Sequence, residues 1–213
     1  MATAVGKKFP DLNVDAMNEM GDTFKVNVLE EAVNKKKKVL LFWYPKDFTF
    51  VCPTELHAFQ AALGEFEKRN TIVIGASCDT PEVHFAWLNT PKDNGGIEGV
   101  TYPILADSNR NLSSILGILD ITNETYDEAT GTVQVEGDNV SYRATYLIDE
   151  DGLVQHESIN NMPIGRNVNE YLRIIDALTH VQEKGEVCPA NWEEGKDAMA
   201  PNAKGTADYL ASH

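Results

Sequence analysis

Apolar runs and segments of helical spacing alternate along most of this chain. Val39-Leu40-Leu41-Phe42-Trp43-Tyr44 is apolar without alternation, which predicts a strand covered on both faces. Thr71–Ser77 reads the same way. Between them Leu56, Phe59, Leu63 and Phe66 share one face, predicting a helix from Cys52 to about Arg69. A helix is expected over Leu29–Lys38, with a hairpin before it at Asp11–Val14 and Thr23–Val26. Thr80-Pro81 opens a further helix, as N-cap and first helical residue. A short strand at Tyr102–Leu105 and a short helix at Asn109–Leu116 follow. Tyr142–Ile148 and Leu153–Ile159 flank a turn at Asp149–Gly152 and predict a hairpin. Val168, Tyr171, Leu172, Ile175, Leu178 and Val181 mark a long amphipathic helix. The alternation as a whole predicts an α/β domain. We read residues 1–184 as that domain and 185–213 as an extended C-terminal arm with few apolar anchors. Turn signals at Ala129-Thr130-Gly131 and Glu136–Asn139 predict an added surface hairpin near 119–141.

The 213 residues carry a net charge of −15. That balance argues against a nucleic-acid backbone or an anionic lipid surface as partner. The one basic block, Lys35–Lys38, reads as a solvated helix end. No apolar stretch reaches membrane-span length. The opening Met1–Lys8 lacks a signal-peptide hydrophobic segment. A cytoplasmic protein is the expectation. The five histidines show no metal-ligand spacing and are read as structural or solvated.

Cysteine usage carries the chemistry. Cys52, Cys78 and Cys188 are the only three, and no C-x-x-C is present. Cys52 falls at the start of a predicted helix, with Pro53 in its first turn. Unpaired N–H groups and the positive helix pole favour a thiolate there, the nucleophilic form. Pro45, Thr49 and Cys52 form P-x-x-x-T-x-x-C. The Thr49 hydroxyl can accept from the thiol or donate to an oxygen beside the sulfur. Pro45 closes the loop and shields it from water. Arg143, on a neighbouring strand, is the candidate to hold the sulfur and polarise a bound oxygen, and Glu55 to anchor that guanidinium by a bidentate contact. Such a site suits a small substrate with a weak O–O bond. The resulting sulfenic acid condenses with a second thiol, for which Cys188 on the arm is the candidate. Cys78, ending a strand without a basic neighbour, reads as structural.

The stretch Phe42–Phe59 resembles the active-site segment of the typical two-cysteine peroxiredoxins, which include alkyl hydroperoxide reductase peroxidase subunits. The likeness recurs at Ala86–Pro91, Pro103–Asp107, Tyr142–Asp149, Pro163–Arg166 and Gly185–Pro189, covering nearly the whole chain. The resemblance implies a thioredoxin-like fold with a central mixed sheet flanked by helices. It implies that Cys52 is the peroxidatic and Cys188 the resolving cysteine. Pro45, Thr49 and Arg143 match active-site positions, and Glu55 and Arg166 supporting ones. It implies reduction of hydrogen peroxide and small organic hydroperoxides, with Cys188 supplied by a partner subunit. It also implies a homodimer, often five to a ring, and recycling by thioredoxin or a flavoprotein disulfide reductase. No metal or organic cofactor is expected. A ring-shaped holdase chaperone or a peroxide-sensing relay is the alternative. The chain departs from the family at Gly95–Gly99, at Tyr209-Leu210 and in the long 119–141 link.

Overall fold

The structure is a computed structural model describing residues 3–213; the first two residues of the stretch read for a targeting segment lie outside it. The described residues divide into two units, one ending at Arg166 and one beginning at Asn167.

In the first unit the strands are β1 (Asn13–Met17), β2 (Thr23–Asn27), β3 (Lys38–Trp43), β4 (Thr71–Ser77), β5 (Ile104–Ala106), β6 (Asn123–Asp127), β7 (Thr132–Glu136), β8 (Arg143–Ile148) and β9 (Val154–Asn160). The helices are α1 (Val28–Lys35), α2 (Cys52–Ala61), α3 (Leu63–Lys68), α4 (Pro81–Leu88) and α5 (Asn111–Leu116). Seven strands form one mixed sheet in the order β2-β1-β5-β4-β3-β8-β9. At its centre β3 runs parallel to β4 and antiparallel to β8. All six residues of β3 are buried, as a central strand without alternation requires, and all six of β8 are buried too, although polar and apolar residues alternate along it. Val39, Leu41, Trp43, Ile74, Leu105, Ala144, Tyr146 and Ile148 belong to one apolar cluster that fixes this register. The sheet therefore sets the end of β3 beside the start of β8, where Arg143 lies, and the loop that leads to α2 issues from there. β6 and β7 form a separate two-stranded hairpin, exposed almost throughout.

Several local expectations are corrected. The helix expected from Cys52 to Arg69 breaks at Ala62, whose ψ of 3° interrupts the helical path between α2 and α3. Gly64 just beyond it weakens the local helical preference. The Lys35–Lys38 block is not a uniform solvated helix end: α1 stops at Lys35, and Lys38 opens β3. The Lys38 ammonium is buried and sits 2.8 Å from Glu150, the pairing that a buried charge demands. The strand placed at Tyr102–Leu105 begins only at Ile104, after Pro103, which has no N–H to give a ladder. α5 begins at Asn111 rather than Asn109. The Asn109 side chain accepts from Asn111 N–H, and the Asp107 carboxylate takes the N–H groups of Leu112 and Ser113.

The second unit contains α6 (Val168–Lys184) and α7 (Ala203–Ser212). α6 is capped by the Asn167 side chain and ends at Gly185 with φ 67°. The stretch after it is less irregular than its composition predicts. Val187 bridges Met199, and Asn202 caps α7 by accepting from Gly205 N–H at 2.9 Å. Among the described residues no helix is long and apolar enough to cross a membrane.

Candidate active site

β3 delivers the chain to a loop that must turn sharply before α2 begins. Phe48 takes a φ of 54° to make that turn, a conformation costly for a bulky residue unless its surroundings impose it. α2 then starts at Cys52 itself, with Pro53 in its first turn and no side chain capping it. The sulfur thus lies at the positive pole of α2, while the Thr54 and Glu55 N–H groups of that turn donate to the Val51 carbonyl. Cys52 is wholly buried.

Two donors converge on the Cys52 sulfur. Thr49 Oγ1 lies 3.0 Å from Sγ, and Arg143 Nη1 lies 3.4 Å from it. Thr49 Oγ1 is also 2.8 Å from the Lys46 carbonyl. Its single proton serves one of these acceptors at a time, so the hydroxyl can turn from backbone to sulfur or to an oxygen beside it. Arg143 is fixed on its other edge, where Nε donates to the Met162 carbonyl at 2.7 Å.

Glu55, one turn into α2, accepts from both arginines. Arg143 Nη1 meets Oε2 at 2.7 Å. The bidentate partner is not Arg143, as the sequence suggested, but Arg166. Its Nε donates to Oε1 at 2.9 Å and its Nη2 to Oε2 at 2.7 Å, and its backbone N–H also donates to Oε1. Arg143 has Nε committed to Met162 and shares Nη1 between the sulfur and Glu55, a single contact with the carboxylate. Arg166 Nη1 is held by the Ala144 carbonyl and Thr145 Oγ1. Its guanidinium stacks 5.1 Å over the Phe42 ring and 5.8 Å from that of Phe59. All three charged side chains are nearly inaccessible. Burial pushes the Glu55 carboxyl up, but the Arg166 hydrogen bonds and the charges of Arg166 and Arg143 outweigh it and hold the group below its usual range. One carboxylate faces two guanidinia, and the surplus positive charge borders the sulfur.

Pro45 is buried, as a shield requires. With Thr49, Phe50, Val51, Arg143 and Met162 it bounds an apolar cavity of about 370 Å³ beside the loop. Thus Cys52, Thr49, Pro45, Arg143, Glu55 and Arg166, far apart along the chain, are gathered in one place. Sequence reasoning missed the carbonyls of Met162 and Lys46, because a backbone acceptor leaves no mark in residue type. Cys78 is buried beside Ser113, 3.8 Å away, and burial pushes its thiol up, in keeping with a structural thiol.

In the second unit Cys188 is half-buried, its thiol donating to the Ala177 carbonyl at 3.7 Å. It borders a cavity of about 570 Å³ with Arg173, Ala177, Pro189 and Asn191. Burial pushes this thiol up; Arg173 opposes that and Glu186 adds to it.

Residues 5–157 match the model of the AhpC/TSA family. The chain belongs to the AhpC/TSA family. It is a peroxiredoxin, a thiol-dependent peroxidase. Residues 177–212 match the C-terminal domain of 1-Cys peroxiredoxin, a stretch that here contains Cys188. The chain is 41% identical over 209 residues to alkyl hydroperoxide reductase C of Helicobacter pylori, covering 97% of this chain and 96% of that one. It is 39% identical to peroxiredoxin-2 of Bos taurus, covering 98% and 96%. The crystal structure of the reduced Plasmodium vivax 2-Cys peroxiredoxin matches with a TM-score of 0.87 at 41% identity, covering 99% of this chain and 100% of that one. The mixed sheet with its flanking helices is thus the thioredoxin-like peroxiredoxin fold.

Proposed function

We propose that Cys52 is the peroxidatic cysteine of this peroxiredoxin and Cys188 the resolving one, acting on hydrogen peroxide and small organic hydroperoxides. The observation that carries the reading is the convergence of Thr49 Oγ1 and Arg143 Nη1 on Cys52 Sγ. The Cys52 thiolate attacks one peroxide oxygen, the S–O bond forms and the O–O bond breaks. The departing alkoxide or hydroxide is stabilised by Arg143 and takes a proton to leave as alcohol or water. The apolar cavity beside Pro45 and Met162 suits the organic part of an alkyl hydroperoxide. Cys188 then attacks the sulfenic sulfur, the S–S bond forms, and the hydroxyl leaves as water. We place Cys188 on a partner subunit in a homodimer, with five dimers to a ring, and take the electron donor to be thioredoxin or a flavoprotein disulfide reductase. A cytoplasmic setting belongs to the same proposal.

Non-reducing gel electrophoresis after one equivalent of peroxide tests the pairing. We expect a dimer-sized band that dithiothreitol abolishes and that either Cys52→Ser or Cys188→Ser prevents. A band persisting in the Cys188→Ser variant would refute the assignment of the resolving thiol.

The raised Cys188 thiol sets the pH dependence of the second step. Because the thiolate is the attacking form, disulfide formation should accelerate roughly tenfold per pH unit between pH 6 and 8. Stopped-flow measurement of the step after peroxide consumption reads this directly. A flat profile would mean that another event, not Cys188 ionisation, limits the closure.

A further inference from the structure

Behind the Cys52 loop lies a buried cluster that the reaction scheme leaves unused. Asp47, in that loop, is buried and held at three points. Tyr44 Oη donates to its Oδ1 at 2.7 Å, His84 Nδ1 meets its Oδ2 at 2.7 Å, and its own N–H donates to Asp79 Oδ2 at 2.8 Å. His84 comes from α4 and is wholly buried; its Nε2 lies 3.2 Å from the Leu105 carbonyl. That carbonyl can only accept, so Nε2 carries a hydrogen. A proton also sits between Nδ1 and Oδ2, since a bare nitrogen lone pair against a carboxylate at 2.7 Å would repel. Asp79 is fixed in turn by Ser77 Oγ at 2.8 Å.

This cluster is costly to bury. Burial pushes the Asp47 carboxyl up and Asp79 adds to this, while His84 and Tyr44 pull it back. Burial and then Asp47 hold the Tyr44 hydroxyl protonated, well above its usual value. Groups this expensive persist where they fix geometry. The geometry in question is the turn that carries Thr49. Lys46, whose carbonyl takes the Thr49 hydroxyl, and Phe48, with its positive φ, flank Asp47 directly. The Asp47 side chain ties the turn by hydrogen bonds to Tyr44, one residue past β3, and to His84 of α4, while the Phe48 ring packs 5.8 Å from that of Trp87 on the same helix.

We propose that His84, acting through Asp47, is a positioning residue for the oxidation of Cys52, holding the 45–49 turn so that the Thr49 hydroxyl reaches the sulfur and the peroxide. The inference builds on the assignment of Cys52 and Thr49 made above.

The test uses two substitutions that divide the imidazole's bonds. His84→Asn keeps a donor near Nδ1, toward Asp47, and gives up the bond to Leu105. His84→Gln keeps a donor near Nε2, toward Leu105, and gives up Asp47. The rate of Cys52 oxidation by hydrogen peroxide is read by stopped-flow tryptophan fluorescence on reduced full-length protein. We expect His84→Gln to slow it about tenfold, the effect of one lost hydrogen bond, and His84→Asn to stay within about threefold. In a Thr49→Val background His84→Gln should change the rate by less than about twofold, because the route it serves is already gone. His84→Asn as slow as His84→Gln, or His84→Gln slowing the Thr49→Val protein equally, would overturn the proposal. If Thr49→Val slows oxidation while His84→Gln does not, only this inference falls. If Thr49→Val itself has no effect, the role of Thr49 and this inference fall together. Should the His84 variants not fold, Tyr44→Phe removes one Asp47 bond without changing shape. It should slow oxidation about threefold, and an unchanged rate there overturns the proposal as well.

Discussion

Cys52→Ser reduces peroxide turnover to the buffer background, a loss of at least about 10⁴-fold. Serine fits the space of the cysteine, so the Thr49 and Arg143 donors and the arginine–Glu55 network remain in place. What disappears is the nucleophile. A serine hydroxyl stays protonated at neutral pH, and the described side chains bonded to this buried atom, Thr49 and Arg143, are donors that do not take its proton. The donor pair that serves a sulfur cannot by itself break an O–O bond. Consumption of hydrogen peroxide with dithiothreitol as electron donor measures the effect, and an unchanged melting temperature shows that the fold survives. Turnover retained by this variant would move the chemistry to Cys78 or Cys188 and undo the proposed function.

Glu55→Gln has the second-largest effect, and it falls on stability and activity together. Oε1 accepts from the Arg166 N–H and Nε, and Oε2 from Arg143 Nη1 and Arg166 Nη2. A glutamine turned either way points its NH₂ group at two donors. Two guanidinia then share a buried site with no carboxylate, at a cost of about 3–5 kcal/mol. Freed from Glu55, Arg143 can swing from the sulfur, so peroxide oxidation should also slow about 100-fold. The pH dependence has a definite sign. The Glu55 carboxyl is held below its unfolded value of about 4.3, so its stabilisation is complete above that value. It is lost as pH falls through the lower folded value. Chemical denaturation should therefore show the largest gap between wild type and Glu55→Gln at neutral pH, closing below about pH 4. A gap that persists unchanged in acid would assign the stabilisation to packing instead of charge.

Much of this site was legible because its signals are local. An apolar run followed by P-x-x-x-T-x-x-C and a helical pattern places a thiol on a first turn whatever the rest of the chain does. Cys188 stands out through its Gly-Glu-Val-Cys-Pro motif, not through periodicity, and its resolving role belongs to the proposal. The paired arginines were harder. Arg143 sits in an alternating strand where a surface residue reads the same as a buried one. Only the β3–β8 pairing turns it toward Cys52. Its relation to Arg166 was misjudged for the same reason. Which guanidinium presents two nitrogens to Glu55 depends on where the Met162 and Ala144 carbonyls lie, and no residue type encodes that. His84 reads from sequence as structural or solvated, and nothing near it in sequence connects it with Asp47, 37 positions away. Helix ends such as Ala62 and Asn111 missed their expected places, because caps and turns are decided by single hydrogen bonds.

The order of residues alone determined that this chain alternates strands and helices, that it is acidic, and that one cysteine begins a helix behind a proline and a threonine. These are properties of neighbours along the chain, fixed by side-chain period, backbone freedom and unpaired N–H groups. The tertiary structure alone decided that two arginines far apart in number share one glutamate beside that sulfur, and that a histidine from another helix braces the loop in front of it. Those contacts exist because burying the apolar faces of β3, β4 and β8 leaves one arrangement of the sheet, and charged groups carried inside by that burial must find one another.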